Sequence, residues 1–207
     1  LITYQKAFEL THNDLHTNNI MFQKTDREFL YYKYNDSYYK VPTFNRLIKI
    51  IDFGRAIYKF KGKTMCSDSF HSKGDASSQY NIEPYFNSQK PRLEPNMSFD
   101  LCRLGCALFD YFVDDIDTIE KECELDPIVK LVVSWCKDDK NRNILYKNNG
   151  EERYPEFKLY KMIARTVHGC TPQSQLELPF FQKYKSSRKK IPKKAKIINI
   201  DDIPSYV

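Results

Sequence analysis

The spacing of apolar and polar positions changes along the chain, and each change marks an element. Residues 4–10 (Tyr-Gln-Lys-Ala-Phe-Glu-Leu) read as the end of a helix, and the polar stretch 11–19 reads as a loop. Ile20-Met21-Phe22 opens a short strand. Across 27–44, Tyr31, Tyr32, Tyr34, Tyr38 and Tyr39 flank Asn35-Asp36, a turn signal between two strand-like runs. Leu47-Ile48-Lys49-Ile50-Ile51 is a strongly apolar strand ending at Asp52. From about 55 to 97 the chain is rich in Ser, Lys, Asn and Pro and reads as loop. Helical spacing then returns. Leu101, Leu104, Leu108, Phe109 and Phe112 give a buried helix over 98–113, with Ser98 as N-cap. Gly105 inside it costs about 1 kcal/mol against Ala, so a close backbone approach is expected there. Further helices are expected at 126–137, with Asp126-Pro127 as cap and first residue, and at 156–168.

Strands first and helices afterwards predict an α+β fold, mainly helical, with a small β-hairpin region. The three helices form the core, with the 12–54 strand-loop unit over them. Residues 1–170 read as one unit and 171–207, rich in Pro and Lys, as a basic C-terminal extension. No internal repeat is visible.

Charge refines this. The net charge of the 207 residues is +6. Lys183, Lys185, Arg188, Lys189, Lys190, Lys193, Lys194 and Lys196 form a run without an acid between Glu177 and Asp201, and without it the chain is slightly acidic. The basicity belongs to a solvated, mobile tail. An anionic partner (nucleic acid, an anionic membrane or an import receptor) is its functional alternative. No stretch approaches the roughly 18 apolar residues of a membrane span, and no secretory leader opens the chain. It starts at Leu1 rather than Met, as a fragment would. The six cysteines (66, 102, 106, 123, 136 and 170) form no C-x-x-C and no zinc-site spacing. Reduced thiols and an intracellular location, cytoplasmic or nuclear, are expected. Asn35-Asp-Ser and Asn96-Met-Ser are then chance matches to a glycosylation site. Abundant Lys, Tyr, Phe, Ile and Asn suggest an A/T-rich genome.

Two clusters carry chemistry. His12-Asn13-Asp14-Leu15-His16-Thr17-Asn18-Asn19 lies in the loop before a strand, and Asp52-Phe53-Gly54 follows the strand 47–51 directly. Together they place carboxylates and a carboxamide at strand ends. Hard cations take oxygen ligands of this kind, completed by phosphate and water. A carboxylate can also accept the proton of a hydroxyl nucleophile. Gly54 would let the backbone turn sharply after Asp52.

The first cluster resembles the protein-kinase catalytic loop H-R-D-L-x-x-x-N, and the second the D-F-G motif. Asp100-Leu-Cys-Arg-Leu-Gly-Cys106 is similar to the D-x-W-S-L-G-C segment of the large buried kinase helix. The resemblance covers residues 1 to about 170 and implies a protein-kinase-like C-terminal lobe without its N-terminal lobe. It implies Asp14 as catalytic base. Asn19 and Asp52 would hold Mg²⁺ (or Mn²⁺) on the phosphates of ATP. Phe53 would pack behind the site and Gly54 would hinge the following segment. Asp100 would bond backbone N–H groups of the catalytic loop, and His12 would be a packing residue.

The departures are specific. Asn13 stands where the family has Arg, which puts coupling to a phosphorylated segment in doubt. His16 stands in place of the usual Lys, as in haspin-like kinases and aminoglycoside- or choline-type kinases. It either reaches the γ-phosphate or makes a local hydrogen bond. Residues 20–51, between Asn19 and Asp52, exceed the family spacing, and the Tyr-rich hairpin accounts for the surplus, as in haspin-like proteins. Glu83-Pro84 and Glu94-Pro95 are the nearest approaches to A-P-E, and neither matches. The six glycines form no G-x-G, so a nucleotide-covering loop and its strand lysine are missing. Gly62-Lys63-Thr64 echoes a P-loop without the glycine it requires five residues earlier.

Three readings follow. The first is the C-terminal lobe of an atypical Ser/Thr protein kinase, acting on a protein substrate when its N-terminal lobe is present; this chain alone would be inactive. The second is a kinase-like scaffold without catalysis. The third is a small-molecule kinase of the aminoglycoside or choline type. Singly, these clusters are also what ordinary Asp/Asn turns contain; three in register are not.

Overall fold

A computed structural model describes residues 1–119, 124 and 126–207. The first helix, α1, spans Ile2–Phe8. After the loop, β1 (Ile20–Lys24) pairs antiparallel with β4 (Arg46–Ile50), Ile20 opposite Ile50. Between them β2 (Phe29–Tyr34) and β3 (Ser37–Pro42) form the expected hairpin, with Tyr32 opposite Tyr39. Asn35 and Asp36 sit at φ 47° and 53°. That left-handed pair suits the right-handed twist of the strands, and Asn and Asp tolerate it best after Gly.

Three helices make the core: α2 (Phe99–Phe112), α3 (Pro127–Trp135) and α4 (Phe157–Thr166). Phe99, Cys102 and Phe109 of α2, Val132 of α3 and Ile163 of α4 are buried together. Asp126 caps α3 by accepting from Ile128 N, with Pro127 at the first position, as its sequence predicts. Ser98 stands at the N-cap of α2 but does not cap it. Its hydroxyl accepts from Cys170 N instead. At Gly105 the packing reason is a close neighbouring helix: an added Cβ would lie 2.8 Å from the Trp135 side-chain Cβ and 3.4 Å from the backbone Val132 O.

The expectation of a mainly helical fold is corrected. About 32% of the described residues are helical and 20% strand, the strands lying in three sheets. Two sources of strand escaped the sequence pattern. Within the stretch read as loop, β5 (Tyr58–Phe60) and β6 (Lys63–Met65) pair across Lys61-Gly62, both at positive φ. In the tail, past the short helices α5 (Pro172–Gln175) and α6 (Pro179–Gln182), β7 (Lys185–Ser186) adds to β3 and β8 (Ile197–Asn199) adds in parallel to β2. The sheet order is β7-β3-β2-β8. Strands of two or three residues are too short to show a period and exist only because a partner edge is present.

The tail is therefore not simply solvated. Ile191 and Ile200 are buried, while all eight basic residues of the run are exposed. By contrast, β1 and β4 turn apolar side chains outward: Phe22 is 56% and Ile48 64% exposed. No helix among the described residues is long and apolar enough to cross a membrane. Cys123 lies outside the described residues; Cys66, Cys102, Cys106, Cys136 and Cys170 are free thiols.

Candidate active site

The loop 11–19 is fixed from below by α2. Asp100 is buried, and its two carboxylate oxygens accept from His12 N and Asn13 N, each at 2.9 Å. Charged acceptors make the stronger hydrogen bonds. Burial pushes the Asp100 carboxyl up from its ordinary range, while the two N–H groups pull it the other way. The structural role expected for Asp100 is present.

His12 ties the loop to the strand before Asp52. Its Nε2 lies 2.9 Å from Ile51 O, and its Nδ1 accepts from Asp14 N at 3.3 Å. A carbonyl only accepts, so Nε2 carries the proton and the ring is neutral in this arrangement. Phe53 packs on His12 with centroids 5.0 Å apart, and edge-on to Tyr4 at 5.5 Å.

Asn13 is buried at φ 62°. Its Nδ2 donates to Thr11 O, Thr11 Oγ1 and Arg55 O, and its Oδ1 accepts from Tyr80 Oη at 2.8 Å. A guanidinium has no acceptor and could not take the Tyr80 bond. The residue that departs from the kinase pattern is thus an internal joint between the loop, the Asp52 segment and Tyr80.

Asn19 closes the loop. Its Nδ2 donates to Asp14 O at 2.9 Å and lies 3.3 Å from His16 Nε2. With the donors turned inward, Oδ1 is the atom left to meet a cation. Ile51 N donates to Asn19 O, so the β1–β4 pairing sets Asn19 beside the residue that precedes Asp52. Asp52 is exposed at φ 60°, and its Oδ1 accepts from Gly54 N at 3.2 Å. The sharp turn expected at Gly54 is therefore made by Asp52. Gly54 leaves room for that carboxylate, since an added Cβ would lie 3.1 Å from Asp52 Oδ1.

One carboxamide oxygen and one exposed carboxylate suit Mg²⁺ or Mn²⁺ with phosphate and water completing the shell. Among the described residues no group of three His, Cys, Asp or Glu is gathered to hold a metal by itself. Of the two roles open to His16, the structure contains local contacts: besides Asn19, its Nε2 lies 3.8 Å from Asp14 Oδ1. Glu83 and Glu94, from the two imperfect A-P-E segments, both pair with Arg92.

Sequence reasoning missed three side chains. Tyr160 donates to Asp14 Oδ1 at 2.7 Å, Arg103 donates to Tyr160, and Tyr80 holds Asn13. Each arrives from a distant element, so no local pattern could reveal them. Compared with models of known protein families and with curated protein sequences, the chain matches none.

Proposed function

We propose that the chain is the C-terminal lobe of an ATP-dependent Ser/Thr protein kinase. In this reading Asp14 receives the proton of a protein hydroxyl, and Asn19 and Asp52 hold the cation. Mg²⁺ or Mn²⁺ would neutralise charge on the ATP phosphates. The observation that carries the reading is the Asp100 carboxylate. It reaches across 88 positions to bind the backbone of the loop holding Asp14, while His12 joins that loop to the strand before Asp52. Three separate sequence motifs thus meet at one site. The exposed apolar side chains of β1 and β4 support a further surface lying over the site. A nucleotide-covering lobe from outside these 207 residues would supply it.

The experiment is phosphotransfer from γ-labelled ATP by the full-length protein, with Mg²⁺ and a mixed protein acceptor. Label on Ser or Thr is expected. Asp14→Asn should lower the rate about 10²–10⁴-fold, and Asp52→Ala should abolish Mg-nucleotide binding with the fold intact. Labelled amino alcohols or sugars without labelled protein would point to a small-molecule kinase. No transfer and no nucleotide binding would leave a scaffold.

A further inference from the structure

Asp14 does not stand open at the site. Tyr160, from the middle of α4, donates to its Oδ1 at 2.7 Å. Arg103, from α2, donates through Nε to Tyr160 Oη at 2.9 Å. The direction of this chain is fixed by chemistry. Arginine has no acceptor, so Tyr160 Oη must accept from Arg103 and direct its single proton at Asp14.

The phenol is also held in place. Phe157 stacks on its ring with centroids 5.1 Å apart and planes 16° from parallel. Phe99 lies at 6.1 Å, and the guanidinium of Arg55 sits 5.7 Å from the ring centroid. The charged groups facing Tyr160 are Asp14 from the loop, Arg103 from α2 and Arg55 from the turn after Asp52. His16 neighbours the same Asp14 oxygen at 3.8 Å, and on the tyrosine's own helix Lys161 lies over Phe157. Burial pushes the Tyr160 phenol up, Arg103 draws it down, and the bond to Asp14 raises it again.

A carboxylate rotates about a broad, nearly two-fold torsion, so its two oxygens exchange unless one is tied. Tyr160 ties Oδ1. Oδ2 takes neither the Tyr160 bond nor the His16 contact. We infer that Tyr160 is the positioning residue for Asp14 and leaves Oδ2 to receive the proton of the acceptor hydroxyl. This rests on the phosphotransfer reading above. In that step the acceptor O–H bond breaks and its proton passes to Oδ2. The acceptor oxygen bonds to the γ-phosphorus as the bond to the ADP oxygen breaks, and Tyr160 keeps its proton throughout.

The test uses the full-length protein and the variants Tyr160→Phe and Asp14→Asn, both close in shape to the originals, and Arg103→Gln, which removes the guanidinium charge. With ¹³C-labelled tyrosine, the Tyr160 resonance is identified by its loss in Tyr160→Phe, and its ionisation is followed by NMR. Asp14→Asn should lower the pH at which Tyr160 ionises, and Arg103→Gln should raise it. A Tyr160 that ignores Asp14→Asn would overturn the inference. In phosphotransfer, Tyr160→Phe should cut kcat about 10–100-fold with KM for ATP unchanged, and an unchanged kcat would overturn it equally. If the unmodified protein transfers no phosphate, the kinase reading fails by itself. The NMR arm then decides alone whether Arg103 and Tyr160 hold Asp14.

Discussion

Two backbone N–H groups, those of His12 and Asn13, are buried with a single carboxylate to satisfy them. Asp100→Ala leaves both unpaired, at about 1–3 kcal/mol each. A loss of about 2–6 kcal/mol in urea denaturation is expected. Asp100→Asn keeps one acceptor but turns an NH₂ toward the other donor, so its loss should be intermediate. Equal midpoints for Asp100→Ala and the unmodified protein would remove this role. The motif resemblance made Asp100 legible in the sequence. Asn13 was legible only as a departure; its reason for being there, the Tyr80 bond and the φ of 62°, needed the fold.

At the scale of elements, α2 and α3 meet where Gly105 faces Trp135. Alanine there would improve helix propensity by about 1 kcal/mol. Its Cβ, however, would press on Trp135 Cβ at 2.8 Å and Cys136 Sγ at 3.2 Å, and overpacking of this kind costs about 1–3 kcal/mol. Packing wins, so Gly105→Ala should lower Tm by a few degrees in a calorimetric scan. A higher Tm would mean that the helices can part at no cost. The helices and the Tyr-rich hairpin were legible because each has its own period or turn signal. The β5–β6 pair was not, because three-residue strands carry no period.

Across the whole molecule, the basic tail contributes two strands to the hairpin sheet and buries Ile191. If this docking holds the tail, Ile191→Ala should cost about 2–4 kcal/mol; a solvated tail would show almost no change in the same denaturation measurement. Protonation tests the core as a whole. Burial pushes the Cys170 thiol up to about 12. Burial and then Asp110 raise Tyr146 to about 12, and burial raises Tyr80 well above its ordinary value. All three hold their protons more tightly in the folded state. Unfolding therefore releases protons once pH passes the ordinary thiol and phenol values of 9.0 and 10.0. Stability is full below that range and falls as pH rises through it. Urea midpoints level from about pH 8 to about pH 11 would contradict this.

The sequence by itself determined the local features. Apolar spacing set the three core helices, Asn35-Asp36 set the hairpin, and the loop and strand-end clusters named Asp14, Asn19 and Asp52 as the candidate site. These signals lie within one turn or one strand, so they survive without knowledge of the rest of the chain. Only the tertiary structure decided what covers each group. It carried Tyr160 to Asp14 over 146 positions, joined the tail to the hairpin, and moved the strained turn from Gly54 to Asp52. Hydrogen bonds between distant side chains and pairing along a sheet edge depend on which surfaces packing brings together, and no short-range pattern records that.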